Sequence, residues 1–159
     1  MQVAALVPAE QHVCTRYRVG QFVDALRGHG VEVLIEPLAR TPLARLRQLT
    51  RPRERVLLVR KLLPEWQWAL LRRSSRWLAY DFDDAVFFRE TFRGHADGSR
   101  TRRRRFGLTM RWADRVFAGN DFLAMEAARR GAAAKVEVDR KSTRLNSSHR
   151  IASRMPSSA

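Results

Sequence analysis

Arg76-Trp77-Leu78-Ala79-Tyr80-Asp81-Phe82-Asp83-Asp84-Ala85 is an apolar run that ends abruptly in a cluster of carboxylates. A nearly continuous apolar segment of this length predicts a parallel strand buried on both faces, here over residues 76 to 82. The Asp-rich turn at 81 to 84 then stands where such a strand meets solvent. Upstream, Arg55 to Arg60, centred on Val56-Leu57-Leu58-Val59, has the same character. Between the two lies a helical pattern from Pro64 to Arg73, opened by proline, whose fixed φ suits a first helical turn.

The same alternation extends outward in both directions. Gln2 to Val7 is an apolar run stopped by Pro8, and Val31-Glu32-Val33-Leu34-Ile35 forms a second strand. A helix is predicted from Tyr17 to Arg27, with Val19, Phe22, Val23 and Leu26 at three- and four-residue spacing. Gly28-His29-Gly30 ends it. Pro42 to Leu49 reads as a basic amphipathic helix. Downstream of the carboxylates, Phe87 to Ser99 is a looser segment, and Arg100 to Trp112 a basic helix. Asp114 to Ala118 is a fifth strand, Asn120 caps a helix to Arg130, and Lys135 to Val138 starts a sixth strand. Strand and helix alternate throughout, so the fold class is α/β: a Rossmann-like parallel sheet with helices on both faces, binding at the carboxyl ends of its strands. No Gly-x-Gly-x-x-Gly and no Gly-x-x-x-x-Gly-Lys-Ser/Thr is present, so no glycine-rich loop for nucleotide phosphates is expected.

With 159 residues and 45% hydrophobic content the chain can bury one sizeable core. Its start lacks the pattern of a signal peptide and no run is long enough to span a bilayer, so a cytoplasmic location is the expectation. One cysteine, Cys14, and four scattered histidines offer neither an internal disulfide nor metal-ligand spacing; no metal or cofactor site is expected. The net charge of +15 suggests a polyanionic partner. Only three of the 31 basic residues are lysine, however, as the codon bias of a GC-rich genome produces. Arg100 and Arg102 to Arg105 alone form a dense run.

The last segment breaks the pattern. Asp139 to His149 and Ser153 to Ala159 resemble, in one register, the two constant blocks of a translated sequencing-library adapter, with Arg150-Ile151-Ala152 filling the place of its index. Residues 139 to 159 are therefore expected to be a non-native tail, and 1 to 138 the domain. Five basic residues and one acidic one lie in that tail, so the rest carries +11.

Three segments together resemble the retaining GT-B glycosyltransferases, in the group that includes sucrose synthases and many bacterial polysaccharide and lipid glycosyltransferases. They are Thr15-Arg16-Tyr17-Arg18-Val19 with Gly28-His29-Gly30-Val31-Glu32-Val33; Leu78 to Phe87; and Ala113 to Ala124. The resemblance covers residues 1 to 138 and implies the N-terminal, acceptor-side half of a two-domain enzyme. Such an enzyme moves a sugar from a nucleotide-diphosphate sugar to an acceptor hydroxyl, retains anomeric configuration and needs no metal. It further implies a C-terminal donor-binding domain beyond Val138 as partner, a sugar or lipid-linked acceptor, and an inactive fragment. Peripheral contact with an anionic membrane surface on the inner face accompanies a lipid-linked acceptor.

Candidate site residues follow from the predicted strand ends. Thr15 and Arg16 are expected at a helix start, where the planar guanidinium could hold a phosphate; Arg18 is expected to pack on the first turn. Asp81, Asp83 and Asp84 are candidates for binding acceptor hydroxyls or for a general base, Asp81 and Asp83 sharing one face by strand alternation. Asn120 is a candidate too, although an N-cap accepting from the N–H of Phe122 or Leu123 explains it more simply. Cys14, Trp66, Trp68, Trp77 and Trp112 are read as core. No catalytic residue is assigned. Two rival readings exist. Leu78 to Ala85 nearly satisfies the Asp-x-Asp-x-Thr/Val motif of haloacid dehalogenase-type phosphatases, with Ala85 at the Thr/Val position and the motif on the fourth strand rather than the first. Arg102 to Arg105 could mark a nucleic-acid-binding module, which the lack of interleaved aromatic or amide groups disfavours.

Overall fold

The computed structural model describes residues 1 to 87 and 100 to 139. Six strands, β1 (Gln2–Val7), β2 (Glu32–Pro37), β3 (Arg53–Val59), β4 (Ser75–Phe82), β5 (Arg115–Ala118) and β6 (Val136–Val138), form one sheet in the order β2-β1-β3-β4-β5-β6. Every pairing is parallel. Helices α1 (Val13–Arg18), α2 (Val23–Gly28), α3 (Pro42–Thr50), α4 (Glu65–Ser74), α5 (Arg100–Trp112) and α6 (Asp121–Ala127) occupy the connections. This is the predicted Rossmann-like α/β architecture. The looser segment predicted from Phe87 to Ser99 lies, beyond Phe87, outside the described residues, as do residues 140 to 159.

Alternation along each strand divides the apolar residues between two faces. On one, Leu6, Val56, Leu58, Leu78, Tyr80, Phe82 and Val116 pack against Leu49 of α3, Trp68 and Leu71 of α4, Phe106 and Met110 of α5 and Leu123 of α6. On the other, Ala5, Val7 and Val59 meet Val19, with Val33, Ile35 and Leu57 alongside. The asymmetry follows from handedness. Right-handed crossovers that step one way along the sheet place their helices on one face, and the single step from β1 to β2, in the opposite direction, places α1 and α2 on the other. Further along that second face, Arg55 lies over the Trp77 ring at 5.8 Å and Arg115 pairs with Glu137.

The helix predicted from Tyr17 to Arg27 is divided. It begins earlier, at Val13, breaks at Val19 (φ −127, ψ −55), passes through a 3₁₀ turn at Gly20–Phe22 and resumes as α2. Glycine is the poorest helix former after proline, and Gly20 sits at the break. Buried Val19 is thereby seated on β1 and β3. The predicted glycine stop is present: Gly30 adopts φ 74 while the N–H groups of Gly30 and Val31 donate to Arg27 O and Leu26 O. That pair of bonds satisfies the last helical carbonyls and needs a residue tolerant of the left-handed region. At the other end, α6 stops at Ala127, sooner than predicted, and a π turn carries the chain to Gly131 at φ 101.

Trp68 is fully buried, whereas Trp66 is 54% exposed, which corrects its reading as core. It lies in the first turn of α4, facing away from Trp68 by helical geometry.

Candidate functional site

Strand order reverses at β1, whose neighbours β2 and β3 follow it in sequence on opposite sides. In open parallel sheets the crevice at such a switch point, beyond the carboxyl ends of the strands, is the usual place for a ligand. Here α1 leaves β1 on one side and Arg60 follows β3 on the other.

Arg18 is the centre of this edge. Its side chain is only 5% exposed, and it grips Asp81 at the end of β4 with both ends of the guanidinium fork: Nε donates to Oδ2 at 2.9 Å and Nη2 to Oδ1. Its third nitrogen, Nη1, donates to Asp139 Oδ2 at 2.8 Å. Burial alone would lower the Arg18 pKa, but hydrogen bonds and charge from Asp81, with Asp139 and Asp83 beyond, hold it above its ordinary value. Burial pushes the Asp81 carboxyl up, and Arg18 works against that shift. Arg18 therefore does more than pack on a helical turn: it ties the first helix to the fourth and sixth strands. Asp139, expected to open a tail without contacts, also donates its N–H to Ala118 O at 2.8 Å, so the contacts of the sheet extend at least one residue into the stretch read as non-native.

The helix start expected at Thr15 and Arg16 is present and opens two residues earlier, so that they are its third and fourth residues. Because α1 begins at Val13, both lie within it. Thr15 is buried and its hydroxyl donates to Ala9 O at 2.7 Å, closing the loop after β1. The N–H of Cys14 is taken by His12 Nδ1, the N-cap. Arg16 is exposed, its guanidinium 5.2 Å above the Tyr17 ring and its Nη2 donating to the Tyr17 hydroxyl at 3.3 Å.

Asp81, Asp83 and Asp84 have diverged in role. β4 ends at Phe82, so strand alternation does not extend to Asp83. Asp81 is 5% exposed, with each oxygen on Arg18, whereas Asp83 and Asp84 are exposed. Asp84 accepts from Arg60 Nη2 at 2.6 Å and from the Ala85 N–H at 2.8 Å. Among the described residues, Asp83 accepts a long contact, 3.9 Å, from Cys14 Sγ, and its charge acts on Arg18 and Arg60. Its backbone, however, is tightly confined: a Cβ on Gly119 would stand 2.8 Å from Asp83 Cα, and the Gly119 N–H donates to Phe82 O. The glycine after β5 is what permits the Asp-rich turn to lie against that strand's end.

Arg60 and Cys14 complete the edge, and neither was singled out from the sequence as a site residue. Arg60 adopts φ 60, an uncommon conformation for a side chain with a Cβ. The kink allows its N–H to donate to Asp81 O at 2.7 Å, while Nη1 reaches Cys14 Sγ at 2.8 Å. Burial raises the Cys14 thiol above its ordinary value; the hydrogen bond from Arg60 opposes the shift and the Asp83 charge adds to it. Asn120 is an N-cap, its Oδ1 accepting from the Leu123 N–H at 2.9 Å. At the opposite, amino edge, a groove lined by Arg72, Arg73, Arg111, Trp112, Asp114 and Lys135 is held by structural bonds: Asp114 takes the Leu78 N–H and Arg72, and Lys135 caps the carbonyls of Arg111 and Ala113.

No family model, no curated protein and no solved structure matches the chain.

Proposed function

We propose that the chain is the acceptor-side domain of a retaining GT-B glycosyltransferase, acting with a donor-binding domain on a nucleotide-diphosphate sugar. The observation that supports this reading is a convergence. The three segments whose sequences resemble that family are far apart in the chain, yet one part of each reaches the switch-point edge: Arg18 on Asp81, and Gly119 against Asp83, while Gly28 to Val33 of the first segment lies at the amino edge. Within this reading the acceptor-facing carboxylate is Asp83, the most loosely held of the three and exposed at the crevice. Asp81 and Arg18 are positioning residues, and Asp84 is anchored by Arg60. Arg16 is an exposed cation on the same edge, available to an anionic group of the acceptor.

The phosphatase alternative fares worse on geometry. Its first aspartate must present a free oxygen for nucleophilic attack. Asp81 stands at that position, buried, with both oxygens held by Arg18.

The deciding experiment is to recover the reading frame beyond Val138 from its genomic source, express the full-length product and follow nucleoside diphosphate release from a panel of sugar nucleotides. The reading requires a second α/β domain, transfer by the full-length protein and its loss in Asp83→Asn. It also requires no turnover by the 159-residue chain alone, because half a cleft cannot supply the roughly 7–11 kcal/mol that holding two substrates in attack geometry contributes. Turnover by the chain alone at a rate comparable to the full-length protein would place the donor site in this half and refute it.

A further inference from the structure

The groove at the amino edge gathers more positive charge than the fold uses. α4 and α5 run antiparallel to the strands and end there in contact, where β5 and β6 begin. A cavity of about 670 Å³ opens between them, lined by Arg72 and Arg73 of α4, Arg111 and Trp112 of α5, Asp114 before β5 and Lys135 before β6. That volume lies within the roughly 300–1,000 Å³ of sites that hold small molecules. Four cations against one carboxylate leave the lining at +3.

Part of this lining is structural. Asp114 Oδ2 accepts from the Leu78 N–H and from Arg72 Nη1, both at 2.8 Å. A helix C-terminus repels anions through its last carbonyls. Here those carbonyls are answered: Lys135 Nζ donates to Arg111 O and Ala113 O, and the Ser74 hydroxyl donates to Leu71 O at 3.1 Å. The same bonds fix the walls of the groove. Arg73 and Arg111 are left over. Both are exposed, and among the described residues neither guanidinium has a hydrogen-bond or ion-pair partner. The Arg111 stem runs past Gly131, where an added Cβ would stand 3.7 Å from Arg111 Cγ. Burial lowers the Lys135 pKa; Asp114 opposes the shift and the Arg72 charge adds to it, as expected where cations crowd. A multivalent anion relieves that crowding, whereas a monovalent one leaves most of the +3 uncompensated. The planar forks of two arginines match the oxygens of a phosphoryl group. A nucleic-acid strand, in contrast, is followed by cations in succession, and these converge on one concavity.

We infer that this groove binds a small multivalent oxyanion of the phosphate or diphosphate class, held by the guanidinium forks of Arg73 and Arg111 with Arg72 and Lys135 supplying charge behind them. The groove lies at the opposite end of the strands from Arg18, Asp81 and Asp83. The inference is therefore independent of the transferase reading, and binding is measured without any sugar substrate, so each can fail alone.

The test titrates the full chain calorimetrically with sodium chloride, inorganic phosphate and pyrophosphate at constant ionic strength. Pyrophosphate is expected to bind more tightly than phosphate, and chloride not at all. Losing one charge-assisted contact weakens binding about tenfold, so R73Q and R111Q should each show that loss and R73S/R111S about a hundredfold. R40S/R103S removes the same two charges from exposed positions near the carboxyl edge and should bind as the parent does. In NMR spectra the indole N–H of Trp112, identified with W112F, should shift on saturation with pyrophosphate, while that of Trp66, identified with W66F, stays in place. Circular dichroism confirms that each variant is folded. No binding of pyrophosphate at millimolar concentration, undiminished binding by R73S/R111S, or a still Trp112 resonance would overturn the inference. Equal weakening in the two double variants would do the same, by reducing the effect to net charge. So would a single-stranded oligonucleotide that binds through Arg73 and Arg111 and is not displaced by pyrophosphate, which would identify the groove as one for nucleic acid.

Discussion

Replacing Arg18 by methionine tests whether the edge is organised as described. The change preserves the bulk of the stem while removing the cation between Asp81 and Asp139. Asp81, with a side chain 7% exposed, is left as a buried carboxylate with no counter-charge; Asp139, at 26%, can turn toward water. Removing one partner of a buried pair costs about 3–5 kcal/mol, a large share of the about 5–15 kcal/mol that holds a typical domain together. Thermal unfolding should therefore shift down by roughly 10–20 °C for a domain of this size. The pH dependence carries a separate signature. Without Arg18, burial raises the folded-state pKa of Asp81 further above its ordinary value of 3.8. A carboxyl raised in the folded state contributes stability that is fully present below 3.8 and is lost as pH rises through the folded value. The deficit of R18M relative to the parent should shrink toward acid and be greatest at neutral pH. R18M/D81N, which buries no uncompensated charge at this position, should regain most of the loss in a double-mutant cycle. Denaturant unfolding of all four proteins across pH measures these quantities. An R18M variant within about 1 kcal/mol of its parent at neutral pH, or a deficit that does not change with pH, would refute the reasoning.

Gly119→Ala should destabilise by about 1–3 kcal/mol, because its Cβ would meet the backbone of Asp83 at 2.8 Å and no rotamer can relieve that contact; a variant that melts with its parent would show that the two turns are not pressed together. Cys14 should react with iodoacetamide more slowly in the folded chain than in urea, since its thiol is buried and its pKa raised. As the shift is upward from 9.0, the stability it contributes is present below that pH and declines above it. Cys14→Ala should lose this alkaline slope, and an identical slope in both proteins would count against the assignment.

The sequence by itself determined where the strands lie and that they run parallel, but not their order. Apolar runs such as Val56-Leu57-Leu58-Val59 can be satisfied only by burial on both faces, and alternation with helical segments then calls for parallel strands. Local caps were legible for the same reason: Gly30 and Asn120 act on backbone groups within a few residues, and the chain between them and their partners is too short for anything else to intervene. Trp66 was misread because helical spacing indicates that one face is covered without identifying which, and only the packing of α3 and α5 beside α4 decided that Trp68 faces inward. The candidate edge needed the tertiary structure most. Arg18 and Asp81 are 63 residues apart, and Arg60 and Cys14 46. In the sequence each was an ordinary arginine, cysteine or member of an acidic run, and nothing local distinguishes a cation that will be buried between two carboxylates from one that will stay in water. The order of the strands brought them to one edge. The low exposure there made their charges matter, because a buried carboxylate must find a counter-charge or a proton, and Arg18 was the cation within reach.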